Sequence, residues 1–165
     1  MAKSKFFGYV LRNAGTPCQQ WVLNEIPTTV TSVFTSTTTS SVAINGIIPV
    51  SSVVINQIGG KVNSDGSFSL PCGLYKISFS TDVSTTTAGR VIVTLKAGST
   101  TLFTTDLTTA AVGVNGTNSG SVIGDTVIRS SGCGINFAIV NSSTTNITPV
   151  MAGTESVRVI ITKIV

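Results

Sequence analysis

The sequence contains no histidine, and only 10% of its 165 residues are charged. Without histidine, Ser-His-Asp and Cys-His catalysis are excluded, and the commonest metal ligand is missing. No apolar run approaches the roughly 18 residues of a membrane-spanning helix, although the mean hydropathy is +0.44. Val, Ile and Phe are nevertheless too plentiful for a disordered chain. We therefore expect a β-rich protein without a membrane partner, whose surface carries hydroxyl groups rather than charges.

The six acidic residues form no recognisable catalytic or metal-binding motif. A glycosidase needs only two suitably placed carboxylates, so the sequence leaves that class open. Asp65 lies in a turn signal and Asp125 follows a glycine, however, and turn chemistry accounts for such residues. Neither an acidic calcium-binding loop nor a phosphate-binding glycine loop occurs. We expect no enzyme, no cofactor and no metal.

The three cysteines, Cys18, Cys72 and Cys133, do not have the spacing of a metal site. The first residues lack the apolar segment of a secretory signal, which favours free thiols. A Cys72–Cys133 bridge is the alternative if their strands adjoin. Three Asn-x-Ser/Thr motifs match the glycosylation pattern: Asn115, Asn141 and Asn146.

The net charge of +4 arises from scattered basic residues. The only small cluster of basic residues lies near the N-terminus and consists of Lys3, Lys5 and Arg12. A nucleic-acid surface needs clustered Lys and Arg with interleaved aromatic residues. We therefore expect no nucleic-acid partner.

Alternation of apolar and polar residues with a period of two runs through the chain, and no stretch has a helical period. The segments 75–80 and 90–96 show it most clearly. Asp65-Gly66, between the segments 61–63 and 68–70, predicts a tight hairpin. About ten short strands separated by turn signals are typical of a β-sandwich or jelly roll.

The N-terminal region differs from the rest of the chain. Residues 1–41 contain the single Trp, two of the five prolines and a Ser/Thr-rich run from Thr35 to Ser41. Such a run is typical of a linker or extended arm. We expect a docking arm over residues 1–41, followed by one jelly-roll domain over residues 42–165.

The stretch GGKVNSDGSFSLPCGLYKISFS, residues 59–80, resembles the signature of the tumour necrosis factor and complement globular-head superfamily. In that signature a glycine turn leads through a short aromatic strand and a proline to Gly-x-Tyr-x-aromatic-x-aromatic. Ile77 stands where an aromatic residue is commoner, and the spacing from Phe68 to Gly73 is one residue shorter than in the usual form. The C-terminal ESVRVIITKIV is similar to that family's closing strand. The residues that carry the resemblance are Phe68, Pro71, Gly73, Tyr75 and Phe79.

This resemblance implies a homotrimeric jelly roll whose closing sheet faces the threefold axis. The candidate trimer-facing strand is the closing strand, marked by Val157, Val159 and Ile161. Ile160 and Ile164 add apolar surface to the other face of that strand, and strands apolar on both faces suit a core on one side and a neighbouring subunit on the other. Because the sequence departs from the family pattern in these ways, we transfer no receptor site and no metal site from the family to this chain.

Three functions are consistent with these expectations. We favour a structural protein on a virion surface, namely a trimeric decoration or head-fibre protein made in the host cytoplasm. It would dock on a bacteriophage capsid or another virion protein through residues 1–41, with a host-surface glycan as a further candidate partner. A lectin-like module of a bacterial or spore surface is the second function, although the candidate loop Thr108–Gly120 lacks a stacking aromatic. The coat protein of a small icosahedral virus is the third, but its basic arm would need more charge.

Overall fold

The computed structural model describes residues 9–10, 22–23, 29–86, 89–109, 118–132, 134–151 and 153–164. Every regular element in these ranges is a β-strand, and none of them contains a helix that could cross a membrane. The strands are β1 (Tyr9–Val10), β2 (Val22–Leu23), β3 (Val30–Ser36), β4 (Ser52–Asn56), β5 (Lys61–Val62), β6 (Phe68–Ser69), β7 (Gly73–Thr85), β8 (Gly89–Ala97), β9 (Thr100–Thr109), β10 (Asn118–Ser130), β11 (Asn136–Asn141), β12 (Thr148–Val150) and β13 (Val157–Lys163).

Two antiparallel sheets form the sandwich. The first sheet has the strand order β10-β7-β13-β3-β4, and β12 pairs with β7 in addition. The second sheet has the order β5-β6-β11-β8-β9. The chain crosses repeatedly between them, since β7 and β10 belong to the first sheet whereas β8, β9 and β11 belong to the second. The expected all-β jelly roll is thereby confirmed. β1 and β2 pair with each other in a separate two-stranded sheet.

The core lies between the two sheets and is centred on aromatic rings. Phe68 contacts Phe34 edge-on at a centroid distance of 5.9 Å, and it stacks on Phe137 at 5.8 Å. All three side chains are buried. Burial of such a side chain contributes about 1.5–3 kcal/mol. Because Phe34 comes from the first sheet and Phe68 from the second, their contact joins the two sheets, whereas the Phe68–Phe137 stack joins neighbouring strands of the second sheet.

The domain boundary expected at residue 42 is wrong, because β3 is an integral strand of the first sheet. β3 pairs with β13 on one side and with β4 on the other. Phe34 is 0% exposed, and Ser32 and Ser36 are buried as well. Of the Ser/Thr-rich run from Thr35 to Ser41, only Thr35 and Ser36 belong to β3, whereas residues 37–41 are not in a strand and are mostly exposed. The sandwich therefore begins near Val30.

The hairpin predicted at Asp65-Gly66 is confirmed. β5 and β6 pair in antiparallel register, and Gly66 has a φ of 85°. The Asp65 carboxylate accepts hydrogen bonds from the Ser67 backbone N–H at 3.0 Å and from its hydroxyl at 2.6 Å. These hydrogen bonds lower the pKa of Asp65 below its ordinary value. The turn thus accounts for one of the six acidic residues.

Cys72 is disulfide-bonded, so the expectation of free thiols is wrong for this residue. Cys18 and Cys133 lie outside the described residues. Gly132 packs against the Cys72 backbone, since a Cβ at Gly132 would come within 2.7 Å of the Cys72 nitrogen. The Cys72–Cys133 pairing stays a prediction.

Asn141 is a structural residue rather than an exposed sequon. Its side-chain amide donates to the backbone carbonyls of Val42 at 3.1 Å, Ala43 at 3.2 Å and Thr145 at 3.0 Å. Its side-chain oxygen accepts the Ser143 backbone N–H at 3.0 Å. The residue is fully buried. A glycan has no access to this nitrogen, which instead ties three chain segments together.

Candidate assembly surface

The signature residues form a structural corner at the start of β7. Tyr75 is buried, and its hydroxyl donates to the Pro71 carbonyl at 3.1 Å. A Cβ at Gly73 would lie 3.0 Å from the Tyr75 ring, so glycine leaves room for the ring to fold back. Burial raises the pKa of Tyr75, which keeps its hydroxyl protonated. Phe68 and Phe79 are buried in the core. None of these side chains is placed to bind a ligand from solvent except that of Pro71, which is exposed.

The closing strand β13 presents a different set of side chains to the outside than the sequence suggested. Val157, Val159 and Ile161 are at most 1% exposed and point into the core of their own subunit. They therefore cannot face a partner. Side chains alternate along a strand, so the outward positions are occupied by residues 158, 160 and 162. The sequence misassigned the faces because both carry aliphatic side chains.

The outward face of the first sheet carries a row of aliphatic side chains across its middle. Residues paired across antiparallel strands share a face, so the register defines rows of side chains that cross the sheet. One row passes over all five strands and consists of Asp125, Ser78, Ile160, Val33 and Ile55. Three of these five residues are aliphatic, although the row lies on the side of the sheet that does not face the core.

One edge of this face is formed by β4, in which all five residues are exposed. A bulge between Val33 and Phe34 leaves Val54 opposite no residue of β3. Val53, Val54 and Ile55 are 46%, 63% and 45% exposed; we call these three residues the β4 patch. Ile55 belongs to the outward row, whereas Val53 is paired with the core-facing Phe34 and lines the other side of the edge strand. An apolar edge strand without Lys or Pro is a strong candidate for association.

The opposite edge of the face is formed by β10. Ile123 and Val127 are 66% and 57% exposed; we call them the β10 patch. Asp125 lies between them, and its carboxylate forms an ion pair with Lys76 of the neighbouring strand at 3.0 Å. The Thr105 hydroxyl donates to the Ile123 carbonyl at 2.9 Å, which anchors the second sheet to this edge.

Sequence reasoning did not identify either patch. The run Val53-Val54-Ile55 between Ser52 and Asn56 is visible in the sequence, but a short aliphatic run is equally compatible with a buried strand. The alternation of β10 likewise leaves open which of its faces is outward. Only the pairing partners, which are distant in the chain, decide the question.

Four charged groups near these patches form ion pairs within the chain. Besides the Lys76–Asp125 pair, the Arg158 guanidinium lies 2.6 Å from the Glu155 carboxylate. Exposed pairs of this kind contribute little to stability. Two further charges flank the β10 patch on the outward face, Arg129 beyond Val127 and Asp82 opposite Ser121, so an approaching surface meets one cation and one anion there.

A groove in the described part of the chain is open to solvent and lies beside an edge strand. It has a volume of about 550 Å³ and runs beside β4 and the β5–β6 hairpin, where Pro49, Val62, Asn63 and Asp65 contribute to its walls. No aromatic side chain lines it. Within the described ranges, no three His, Cys, Asp or Glu side chains lie close enough together to hold a metal ion. The candidate loop Thr108–Gly120 lies mostly outside the described residues.

Solved structures of other proteins share this fold. Neither a protein-family model nor a curated protein matches the sequence. Eiger, the tumour necrosis factor of S. frugiperda, superposes with a TM-score of 0.62 at 11% identity, over 83% of this chain and 93% of its own. The globular domain of zebrafish complement 1qA superposes with a TM-score of 0.54 at 16% identity, over 82% of this chain and 95% of its own. Murine APRIL superposes with a TM-score of 0.55 at 12% identity, over 82% of this chain and 100% of its own.

The fold is the tumour necrosis factor jelly roll. The resemblance read from residues 59–80 is therefore confirmed at the level of fold. At such low sequence identity the likeness establishes the architecture alone, and the role of the jelly roll in this chain has to be argued from its own surface.

Proposed function

We propose that this chain is a non-enzymatic structural protein that assembles as a homotrimer and serves as a decoration or head-fibre protein on a bacteriophage virion. The observation that carries the assembly is the first sheet, whose two edge strands β4 and β10 expose large aliphatic side chains. Large exposed aliphatic side chains on a soluble monomer are a liability. Covering by further copies of the chain removes that liability without a second gene product.

The chain offers chemistry for assembly rather than for turnover. It contains no histidine, and every buried side-chain nitrogen and oxygen in the described ranges has a hydrogen-bond partner. Buried polar side chains without a hydrogen-bond partner mark many active sites. Their absence from this part of the chain fits a rigid scaffold.

We place docking in residues 1–28, which precede β3 and include the separate β1–β2 pair. This segment is shorter than the arm of residues 1–41 expected from composition, because β3 is needed in the sandwich. In a trimer three such segments lie on one particle, so weak contacts of each segment add up to firm attachment. The location that follows is the virion surface.

Light scattering on the purified full-length protein tests the assembly. We expect a mass three times the 17.0 kDa of one chain, and a monomer at micromolar concentration would refute the proposal. Immunogold electron microscopy of virions from a lysate that contains the native protein tests the location, with label expected on the capsid surface. Label that stays off the particles, together with binding of the protein to a glycan array, would favour a lectin-like surface module instead.

A further inference from the structure

The two aliphatic patches lie at opposite edges of the same sheet. β10 and β4 are the first and last strands in the order β10-β7-β13-β3-β4. At about 4.8 Å between neighbouring strands, the patches are about 19 Å apart. They are thus two separate surfaces, one on each flank of the subunit, and not one continuous patch.

Symmetry restricts how such surfaces are used. In a closed ring of three identical chains, every contact joins two different surfaces, because a surface that pairs with its own copy gives only a twofold dimer. Each subunit of a trimer therefore needs two distinct contact surfaces, and each of them faces a different neighbour. The β4 patch and the β10 patch meet this requirement.

We infer that the β4 patch of each subunit packs against the β10 patch of the next, an inference that rests on the proposed homotrimer. The two patches match in chemistry, since both consist of Val and Ile side chains with exposures of 45–66%. Between Ile123 and Val127 the outward face of β10 carries one charged group, Asp125, and it is paired with Lys76. A second copy of the chain therefore buries both patches without burying an unpaired charge between Ile123 and Val127, while Arg129 lies at the margin of the contact.

Charged substitutions at the two most exposed patch residues test the pairing. Val54→Lys and Ile123→Asp each place one unpaired charge in every contact of the ring, and we expect each variant alone to associate at least about 30-fold more weakly. The double variant Val54→Lys/Ile123→Asp places a cation opposite an anion in all three contacts. We expect this double variant to regain the trimer mass in light scattering.

A like-charge double variant is the matched control. Val54→Lys/Ile123→Lys places two cations in each contact, so we expect no recovery. Circular dichroism of each variant verifies the fold, which exposed positions should leave intact. If both single variants remain trimeric, or if the like-charge double variant recovers as well as the opposite-charge one, the pairing of these edges is wrong while the trimer stands. A monomeric wild-type protein would refute the trimer itself.

Discussion

Gly124 lies inside β10 directly opposite Phe79 of β7. A Cβ at this position would overlap the Phe79 ring and lie 3.1 Å from Phe103. Glycine weakens a strand interior unless a close approach requires it, and here the Phe79 ring occupies the space of the missing side chain. The glycine before Asp125 was visible in the sequence, but nothing local showed that a ring lies over it.

Gly124→Ala should therefore destabilise the protein by about 1–3 kcal/mol, because the methyl group overpacks the site. Phe79→Leu removes the ring and leaves space, so the double variant Gly124→Ala/Phe79→Leu should lose less stability than the two single variants together. Urea unfolding at one fixed protein concentration measures the free energy of unfolding of the wild type, the two single variants and the double variant. A coupling below about 0.5 kcal/mol would show that the two residues do not compete for the same space.

Residue-level reasoning from the sequence succeeded where the chemistry is local. The hairpin at Asp65-Gly66 depends on a turn whose residues are neighbours, and it forms as predicted. Asn141 shows the limit, since its amide reaches Val42, which lies 99 positions away in the chain. A long-range hydrogen bond of this kind leaves no mark on the residues next to it.

Among the elements, β3 shows why composition misleads at a domain boundary. Its sequence VTSVFTS is rich in hydroxyl residues, which are typical of linkers. Inside the sheet, however, the Ser32 hydroxyl donates to the Asn56 side chain at 3.3 Å and Ser51 donates to Ser36 at 3.3 Å. Satisfied hydroxyls of this size are compatible with burial. The strand periodicity of the remaining sheet was predictable, whereas the assignment of β3 and of the faces of β13 required the pairing.

Truncation separates the arm from the sandwich. A chain that begins at residue 29 retains every strand of both sheets and should fold and assemble. A chain that begins at residue 42 loses β3, uncovers the Phe68 ring against which Phe34 packs, and should not fold. Circular dichroism and proteolysis of the two proteins measure the difference. A stable product from residue 42 onwards would show that β3 is dispensable and that the arm extends as far as composition suggested.

For the whole molecule, the balance of forces in the assembly follows from its low charge. With ten basic and six acidic residues in the chain and aliphatic side chains at both edges of the first sheet, burial of apolar surface dominates association. Electrostatic attraction between exposed charges fades above a few tenths molar salt. Apolar association does not fade with salt, and it weakens on cooling.

The trimer should therefore keep its dissociation constant within about threefold between low salt and roughly 1 M NaCl. Kosmotropic salts such as ammonium sulfate should tighten it, and cooling towards 4 °C should loosen it. Analytical ultracentrifugation over these conditions measures each change on the unmodified protein. Dissociation at high salt would mean that Lys76, Asp125, Glu155 or Arg158 exchange their partners within the chain for partners across the contact. In that case charges would hold the subunits together, and the aliphatic edges would have to be covered by something other than a copy of this chain.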